Sequence, residues 1–355
     1  MVILENKRNY VLEQDLEFII NSPLNWNKIE GKTVLITGAN GFLPSYIVET
    51  LLFLNERKFS VPAKIIGLVR NIDKAKDRFR LYAEREDLEL IQSDVNEPFE
   101  YTTPINFIVH AASQASPKYY GVDPVGTLLP NTIGTNNLLR LALKNPIESF
   151  LFFSSGEIYG EVDTKQIPTK ENDYGFINPV IVRSCYGESK RMGETMCVSY
   201  HHQFNVPIKI VRPFHTYGPG MLLNDGRVFA DFVSDIVNEK NIVMKSEGNA
   251  IRSFCYISDA IIGFFCVLLS GENGEAYNVG NPHGEISIKK LADTLVSLFP
   301  EKKLKVIEVK RSDNYLKSPI NRTCPDITKL QKLGWKPKIG IKQGFKKTIQ
   351  SYKTQ

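Results

Sequence analysis

Thr33-Val34-Leu35-Ile36-Thr37-Gly38-Ala39-Asn40-Gly41-Phe42-Leu43-Pro44 is the stretch that decides the fold. Its first five residues form the β-branched, apolar run of a buried strand. A glycine-rich turn follows at once, and residues 46–54 read as helix. Strand, glycine turn and helix in that order make the phosphate-cradling start of a dinucleotide fold. Gly38 permits the tight turn, and Gly41 lets backbone N–H groups approach a pyrophosphate. The helix N-terminus adds its positive dipole end. The expected cofactor cradle is therefore Gly38, Asn40, Gly41, Phe42 and Leu43. Pro44 stands where a third glycine is usual; the first helical turn tolerates it because that N–H would have no intrahelical partner.

Outward from this stretch the pattern repeats. Apolar strands are predicted at residues 64–69, 87–91, 106–110, 150–153 and 208–211, and a helix at 131–143. Strands alternating with helices build βαβ units, so the fold class is α/β, a Rossmann-type doubly wound parallel sheet. Before it, residues 9–20 carry Val11, Leu12, Leu16, Ile19 and Ile20 at helical spacing. Residues 1–30 are read as an N-terminal helical extension that packs on the domain or on a partner subunit. Residues 31–212 form the dinucleotide-binding domain. From 213 to 355 turn residues are denser, which predicts mainly a smaller substrate-binding lobe, with some return of the chain to the first domain.

Composition removes several alternatives. Hydrophobic residues at 42% and charged residues at 23% are ordinary for a globular protein. A net charge of +5, with lysines interleaved among acids as in Asp73-Lys74-Ala75-Lys76-Asp77-Arg78, gives no case for a nucleic-acid partner. The longest apolar run, residues 260–270, is too short to span a bilayer, and no membrane partner is expected. Five cysteines without C-x-x-C spacing argue against a disulfide framework or a zinc site. His201 and His202 are adjacent and point to different helix faces, so no metal is expected. The N-terminus is charged almost at once, and a cytoplasmic location is expected.

A dinucleotide site usually has an acid at the end of the second strand to hold the ribose. Here the strand runs into Leu68-Val69-Arg70-Asn71. Arg70 could meet a 2′-phosphate or stack on adenine, so NAD is the expected cofactor and NADP stays open. Asp94 and Val95, after the third strand, are placed to reach the adenine edge.

Tyr186-Gly187-Glu188-Ser189-Lys190 has Y-x-x-x-K spacing, and positions four apart share a helix face. Lys190 can lower the tyrosine pKa and bind the nicotinamide ribose, and a phenolate can then take a proton from a sugar hydroxyl as hydride leaves. Ser155, at the end of the fifth strand, can hydrogen-bond the same hydroxyl. Glu157 beside it is a candidate acid/base, with a structural hydrogen-bonding role as the alternative.

With the glycine loop, Ser154-Ser155-Gly156-Glu157 and Tyr186-x-x-x-Lys190 in this order, the sequence resembles the extended short-chain dehydrogenase/reductases that act on nucleotide sugars. Ala115-Ser116-Pro117, Asn131-Thr132-Ile133-Gly134-Thr135, Arg183-Ser184-Cys185-Tyr186, Asn224-Asp225-Gly226-Arg227-Val228 and Leu333-Gly334-Trp335-Lys336-Pro337 make it most similar to UDP-glucuronate decarboxylases. The resemblance implies oxidation of the sugar C4 hydroxyl by bound NAD with Tyr186 as base, loss of CO2 from the 4-keto-uronate, and return of the hydride. It implies reaction-centre positions for Ser155 and Glu157, and substrate contacts at Ser116, His215, Arg227, Arg252 and Arg322. It also implies a homodimer using the helices that carry Tyr186 and follow Asn131.

Departures from the pattern leave the reaction open. Gly156 stands where the decarboxylases carry serine and many 4,6-dehydratases carry aspartate. His215 replaces a usual asparagine, and either contacts substrate or caps a loop. Lys245 stands where an aromatic residue is common. A 4-epimerase and a 4,6-dehydratase are the alternatives, and a non-catalytic dinucleotide-binding protein is a more distant one. Cys185, beside Tyr186, lacks an activator and reads as an inert packed thiol.

Overall fold

The computed structural model describes residues 8–309 and 320–353. Seven strands form one sheet: β1 (Thr33–Thr37), β2 (Lys64–Val69), β3 (Leu88–Gln92), β4 (Phe107–His110), β5 (Ser149–Phe153), β6 (Ile208–Pro213) and β7 (Glu275–Val279). All neighbours run parallel, in the order β3-β2-β1-β4-β5-β6-β7. The order reverses between β1 and β4, so the crevice at their carboxyl ends is the place where such sheets bind ligands. Every residue of β1 and β5 is buried, as expected of strands covered on both faces.

β7 is a strand that sequence reading missed. Glu275-Ala276-Tyr277-Asn278-Val279 has no apolar run, because it is an edge strand whose first residue is exposed. The helices also start earlier than periodicity predicts. α2 spans Phe42–Arg57, with Pro44 inside its first turn. α4 spans Pro124–Leu143: Asp123 caps it by accepting from the Gly126 N–H at 3.0 Å, and Pro124 opens it. Its interior Pro130 turns a carbonyl to His110 Nε2 at 3.1 Å.

α1 (Tyr10–Ile20) is capped by Asn9, whose side chain accepts from the N–H groups of Val11 and Leu12. It packs on the chain's own α2, α7 (Ile257–Ser270) and α10 (Ile341–Ser351). Asp15 on its inner face is fully buried between Lys347 Nζ at 2.5 Å and the Tyr256 hydroxyl at 2.7 Å. A buried carboxylate persists only when paired this way, and the pairing stitches α1 to α10.

After Pro213 the chain builds small elements. α6 (Val228–Val237) and α8 (Ile288–Ser297) flank a parallel pair, Ile242–Met244 with Val306–Glu308. Three short strands, Glu285–Ser287, Ile251–Ser253 and Arg322–Thr323, make a second sheet. α7 and β7 return to the main sheet: the Phe264 ring on α7 meets Phe153 of β5 at 4.7 Å. Tyr217 stacks on Phe345 of α10 at 3.8 Å, tying the loop after β6 to the C-terminal helix. Among the described residues no helix is long and apolar enough to cross a membrane, and all five cysteines are free.

Candidate active site

The glycine turn after β1 is shaped by contacts that leave no room for a side chain. Gly38 has φ +66°, and a Cβ there would lie 2.9 Å from Ala112 Cα, in the loop after β4. Gly41 caps α2 without a side chain, so the first-turn N–H groups of Phe42 and Leu43 face outward from a bare helix end. This cradle and its dipole fit a dinucleotide pyrophosphate.

At the far end of β2, Arg70 is exposed, and its backbone carbonyl accepts from Gln92 Nε2 at 3.3 Å. Asp123 opposite is held below the usual carboxylate range by the Gln114 side chain, then by the Gly126 N–H and the charge of Arg70. Asp94 turns its Oδ1 back to the Asn96 N–H at 2.9 Å. Val95 is buried under α4, where Gly134 leaves space for it.

Ser155 lies two residues past the end of β5, and its Oγ accepts from the Glu157 N–H at 3.1 Å. Tyr186 and Lys190 lie in the first turns of α5 (Cys185–Phe204), 6% and 2% exposed. α5 approaches the sheet closely at Gly193, where a Cβ would meet the Phe152 ring at 2.4 Å. Asn131 of α4 donates to Ser189 Oγ at 3.0 Å and locks the two helices together. Ser155, Tyr186 and Lys190, the three candidates from the sequence, lie together at this strand end.

The charges there are strongly perturbed. Burial pushes the Tyr186 phenol up to about 12, against the pull of its hydrogen bond with Ser155. Burial brings the Lys190 ammonium down to about 7. Its Nζ donates to the Phe153 carbonyl at 2.5 Å and lies 5.8 Å from the Tyr186 ring centre. The tyrosine is thus held away from neutral pH and the lysine brought toward it, and such strongly perturbed neighbours mark a candidate reaction centre.

Two residues here had no assigned role in the sequence reading. The Tyr120 ring stacks on Tyr186, 5.2 Å apart and 14° from parallel. The Arg183 guanidinium lies 5.6 Å over Tyr120 and 3.4 Å from the Glu157 carboxylate. The sequence signal for Arg183 was its place in the Arg183-Ser184-Cys185-Tyr186 stretch of the family resemblance, three residues before Tyr186.

The other expected substrate residues fall in two groups. Ser116 Oγ donates to the Asp225 carbonyl, and Arg227 pairs with the Asp225 carboxylate at 2.6 Å. His215 is pushed down to about 3 by burial, with Arg252 and Arg227 adding to it. Its Nδ1 is buried without a protein hydrogen bond. Arg252 itself donates to the carbonyls of Ile251, Ile320 and Asn321. Arg322 lies on the small sheet, on the strand that pairs in parallel with the one carrying Arg252, and holds Glu285 in a two-point pair at 2.5 and 2.9 Å. Lys245 is exposed, 3.9 Å from Asp231. Burial pushes the Cys185 thiol up, and no group of three or more metal-ligating side chains occurs among the described residues.

Comparison with known proteins gives the same picture. Residues 34–280 match the NAD dependent epimerase/dehydratase family. UDP-glucuronic acid decarboxylase 5 of Arabidopsis thaliana is 36% identical over 327 residues, covering 91% of each chain. UDP-glucuronic acid decarboxylase 1 of Xenopus tropicalis is 33% identical over 91% of this chain and 73% of its own. Among solved structures, Pal from Bacillus thuringiensis superposes with a TM-score of 0.77 at 26% identity, over 91% of this chain and 99% of its own. UDP-glucuronic acid 4-epimerase from Bacillus cereus, solved with UDP-glucuronic acid and NAD, shares the fold at a TM-score of 0.72 and 22% identity, over 90% and 99%. The chain belongs to the NAD dependent epimerase/dehydratase family and is an NAD-using enzyme of the nucleotide-sugar type.

Proposed function

We propose that this enzyme oxidises the C4 hydroxyl of UDP-glucuronate, lets the 4-keto-uronate lose CO2, and reduces the resulting 4-keto pentose. The observation that carries the reading is the convergence of Ser155, Tyr186 and Lys190 at the end of β5, flanked by Glu157. Bound NAD supplies the acceptor for the C4 hydride and its return. Gly38, Asn40, Gly41, Phe42 and Leu43 hold its pyrophosphate, with Arg70, Asp94 and Val95 around the adenosine end and Lys190 at the nicotinamide ribose. NAD is the cofactor in this reading, as the family match supports.

Tyr186 takes the C4 hydroxyl proton, and Ser155 orients that hydroxyl through its Oγ. The Lys190 ammonium near the ring stabilises the phenolate so formed. In the reverse direction Tyr186 returns the proton to the C4 oxygen. Glu157 stands beside the carbons that change and handles the proton that replaces CO2. Ser116, His215, Arg227 and Arg252 hold the nucleotide sugar; guanidinium groups suit its phosphates. Arg322 closes that side.

Purified enzyme with NAD and UDP-glucuronate should release a product lighter by CO2, with a pentose anomeric proton signal in NMR. Product of unchanged mass but inverted C4 would make it the 4-epimerase; a 4,6-dehydratase must expel a C6 hydroxyl, which glucuronate lacks, so loss of water from UDP-glucose would identify that activity. Intact UDP-glucuronate would refute both decarboxylation and 4-epimerisation of this substrate.

The site is read as one half of a cytoplasmic homodimer. Val125, Leu129 and Ile133 on α4 and Met192 on α5 are exposed apolar residues on adjoining helices. Sedimentation of the wild type against Ile133→Asp tests this, with a monomeric wild type the contrary result.

A further inference from the structure

Tyr186 and Ser155 fix where the C4 oxygen of the sugar sits. The neighbouring carbon, C5, bears the C6 group, so that group lies within one side-chain length of the same two residues. In glucuronate C6 is a carboxylate; in glucose it is a neutral hydroxymethyl. Something beside Tyr186 must favour the anion, because Glu157 alone would repel it.

Three described cations stand around Tyr186, and they are not equivalent. Lys190 Nζ is committed to the Phe153 carbonyl at 2.5 Å. Arg227 is held by Asp225 at 2.6 Å. Arg183 meets Glu157 at 3.4 Å, well beyond the ~2.8 Å of a tight charge-assisted bond. Its side chain is only 14% exposed, so its charge is poorly screened by water. The Tyr120 ring, 5.6 Å below the guanidinium, keeps the arginine from swinging away, and Tyr120 in turn stacks on Tyr186. The result is a partly buried guanidinium with a loose partner, fixed relative to the Tyr186 phenol by one intervening ring.

We propose that Arg183 reads the charge of the C6 group: it exchanges its loose contact with Glu157 for the carboxylate of a uronate substrate. The exchange gives two gains at once. The fork of the guanidinium can take both carboxylate oxygens, which a hydroxymethyl cannot match. Glu157 is released from its resting partner only when the correct substrate has arrived. Loss of CO2 removes the anion, and Arg183 returns to Glu157. This inference rests on the UDP-glucuronate reading and assigns the residue that recognises the C6 carboxylate.

The test is calorimetric binding of UDP-glucuronate and UDP-glucose to NAD-loaded enzyme in a Tyr186→Phe background, where turnover is blocked. The parent should favour UDP-glucuronate at least tenfold. Adding Arg183→Gln should weaken UDP-glucuronate roughly 10- to 100-fold, the worth of a hydrogen-bonded charge, and leave UDP-glucose within about twofold. Arg183→Lys should recover part of the preference. Should Arg183→Gln not fold, Arg183→Lys carries the test, since a point charge in place of a fork must lower the ratio. An unchanged ratio, equal weakening of both ligands, or a parent that does not discriminate overturns the role of Arg183 and leaves C4 oxidation standing. A parent that binds neither ligand refutes the UDP-sugar reading itself.

Discussion

Replacing Lys190 with Met should make the protein more stable and almost inactive. Lys190 is 2% exposed, and burial lowers its ammonium from the ordinary 10.5 to about 7. A folded-state pKa below the unfolded one means that the unfolded chain binds more protons between those values. Stability therefore rises with pH across that window, as the cost of burying the charge fades. At about 1.4 kcal/mol per pH unit the cost at pH 7 has a ceiling of ~4–5 kcal/mol. Methionine keeps the length and removes the charge. It also leaves the Phe153 carbonyl without its donor, worth ~1–3 kcal/mol. The net gain is about 1–4 kcal/mol at pH 7; it falls to zero between about pH 8 and 10, above which the missing donor leaves the variant the less stable. Urea unfolding of nucleotide-stripped wild type and Lys190→Met, from pH 7 to 10, measures it. The same variant should lose roughly 10²- to 10⁴-fold in kcat. A variant less stable than the wild type at pH 7, or a stability gap that does not narrow as pH rises, would refute the reasoning about the buried charge.

Three further outcomes are expected. Gly38→Ala puts a Cβ 2.9 Å from Ala112 Cα at φ +66°, so it should cost ~1–3 kcal/mol and weaken NADH binding at least tenfold by fluorescence titration; unchanged binding would mean that the turn is not the pyrophosphate cradle. His110 is buried neutral between Thr37 Oγ at 2.9 Å and the Pro130 carbonyl, and burial, then the Lys190 charge, push it from 6.5 to about 3. Stability should therefore fall by about 2–3 kcal/mol between pH 6.5 and ~4.5, and His110→Gln should flatten that slope in urea unfolding. Gly156→Ser places its Cβ 3.3 Å from three atoms of the Phe214 ring, a contact that the ring relieves by moving a few tenths of an ångström. The melting point should change by no more than ~1 kcal/mol of stability implies, and release of labelled CO2 from UDP-glucuronate should rise; a slower release would show that this site uses the glycine.

Local sequence determined much of this molecule. A buried strand followed by Gly38-Ala39-Asn40-Gly41 can only turn tightly into a helix, because the backbone of Gly38 has to enter the left-handed region and Ala112 occupies the place of a side chain. Likewise Tyr186 and Lys190 share a face wherever a helix forms, since their spacing is one turn. Signals of that kind depend on neighbours in the chain; they suffice for the fold class and for the candidate catalytic trio. Tertiary structure decided what depends on distant partners. β7 is a strand because β6 offers it a parallel edge, not because Glu275-Ala276-Tyr277-Asn278-Val279 demands one. α1 lies on its own chain because Asp15 finds Lys347 and Tyr256, more than two hundred residues away, and a buried carboxylate needs such partners. Arg322 turned out to be bound to Glu285, while Arg183, given no role beforehand, stands over Tyr120 beside Glu157. Each arginine carries the same charge in the sequence; only the fold decides which carboxylate it meets and how tightly.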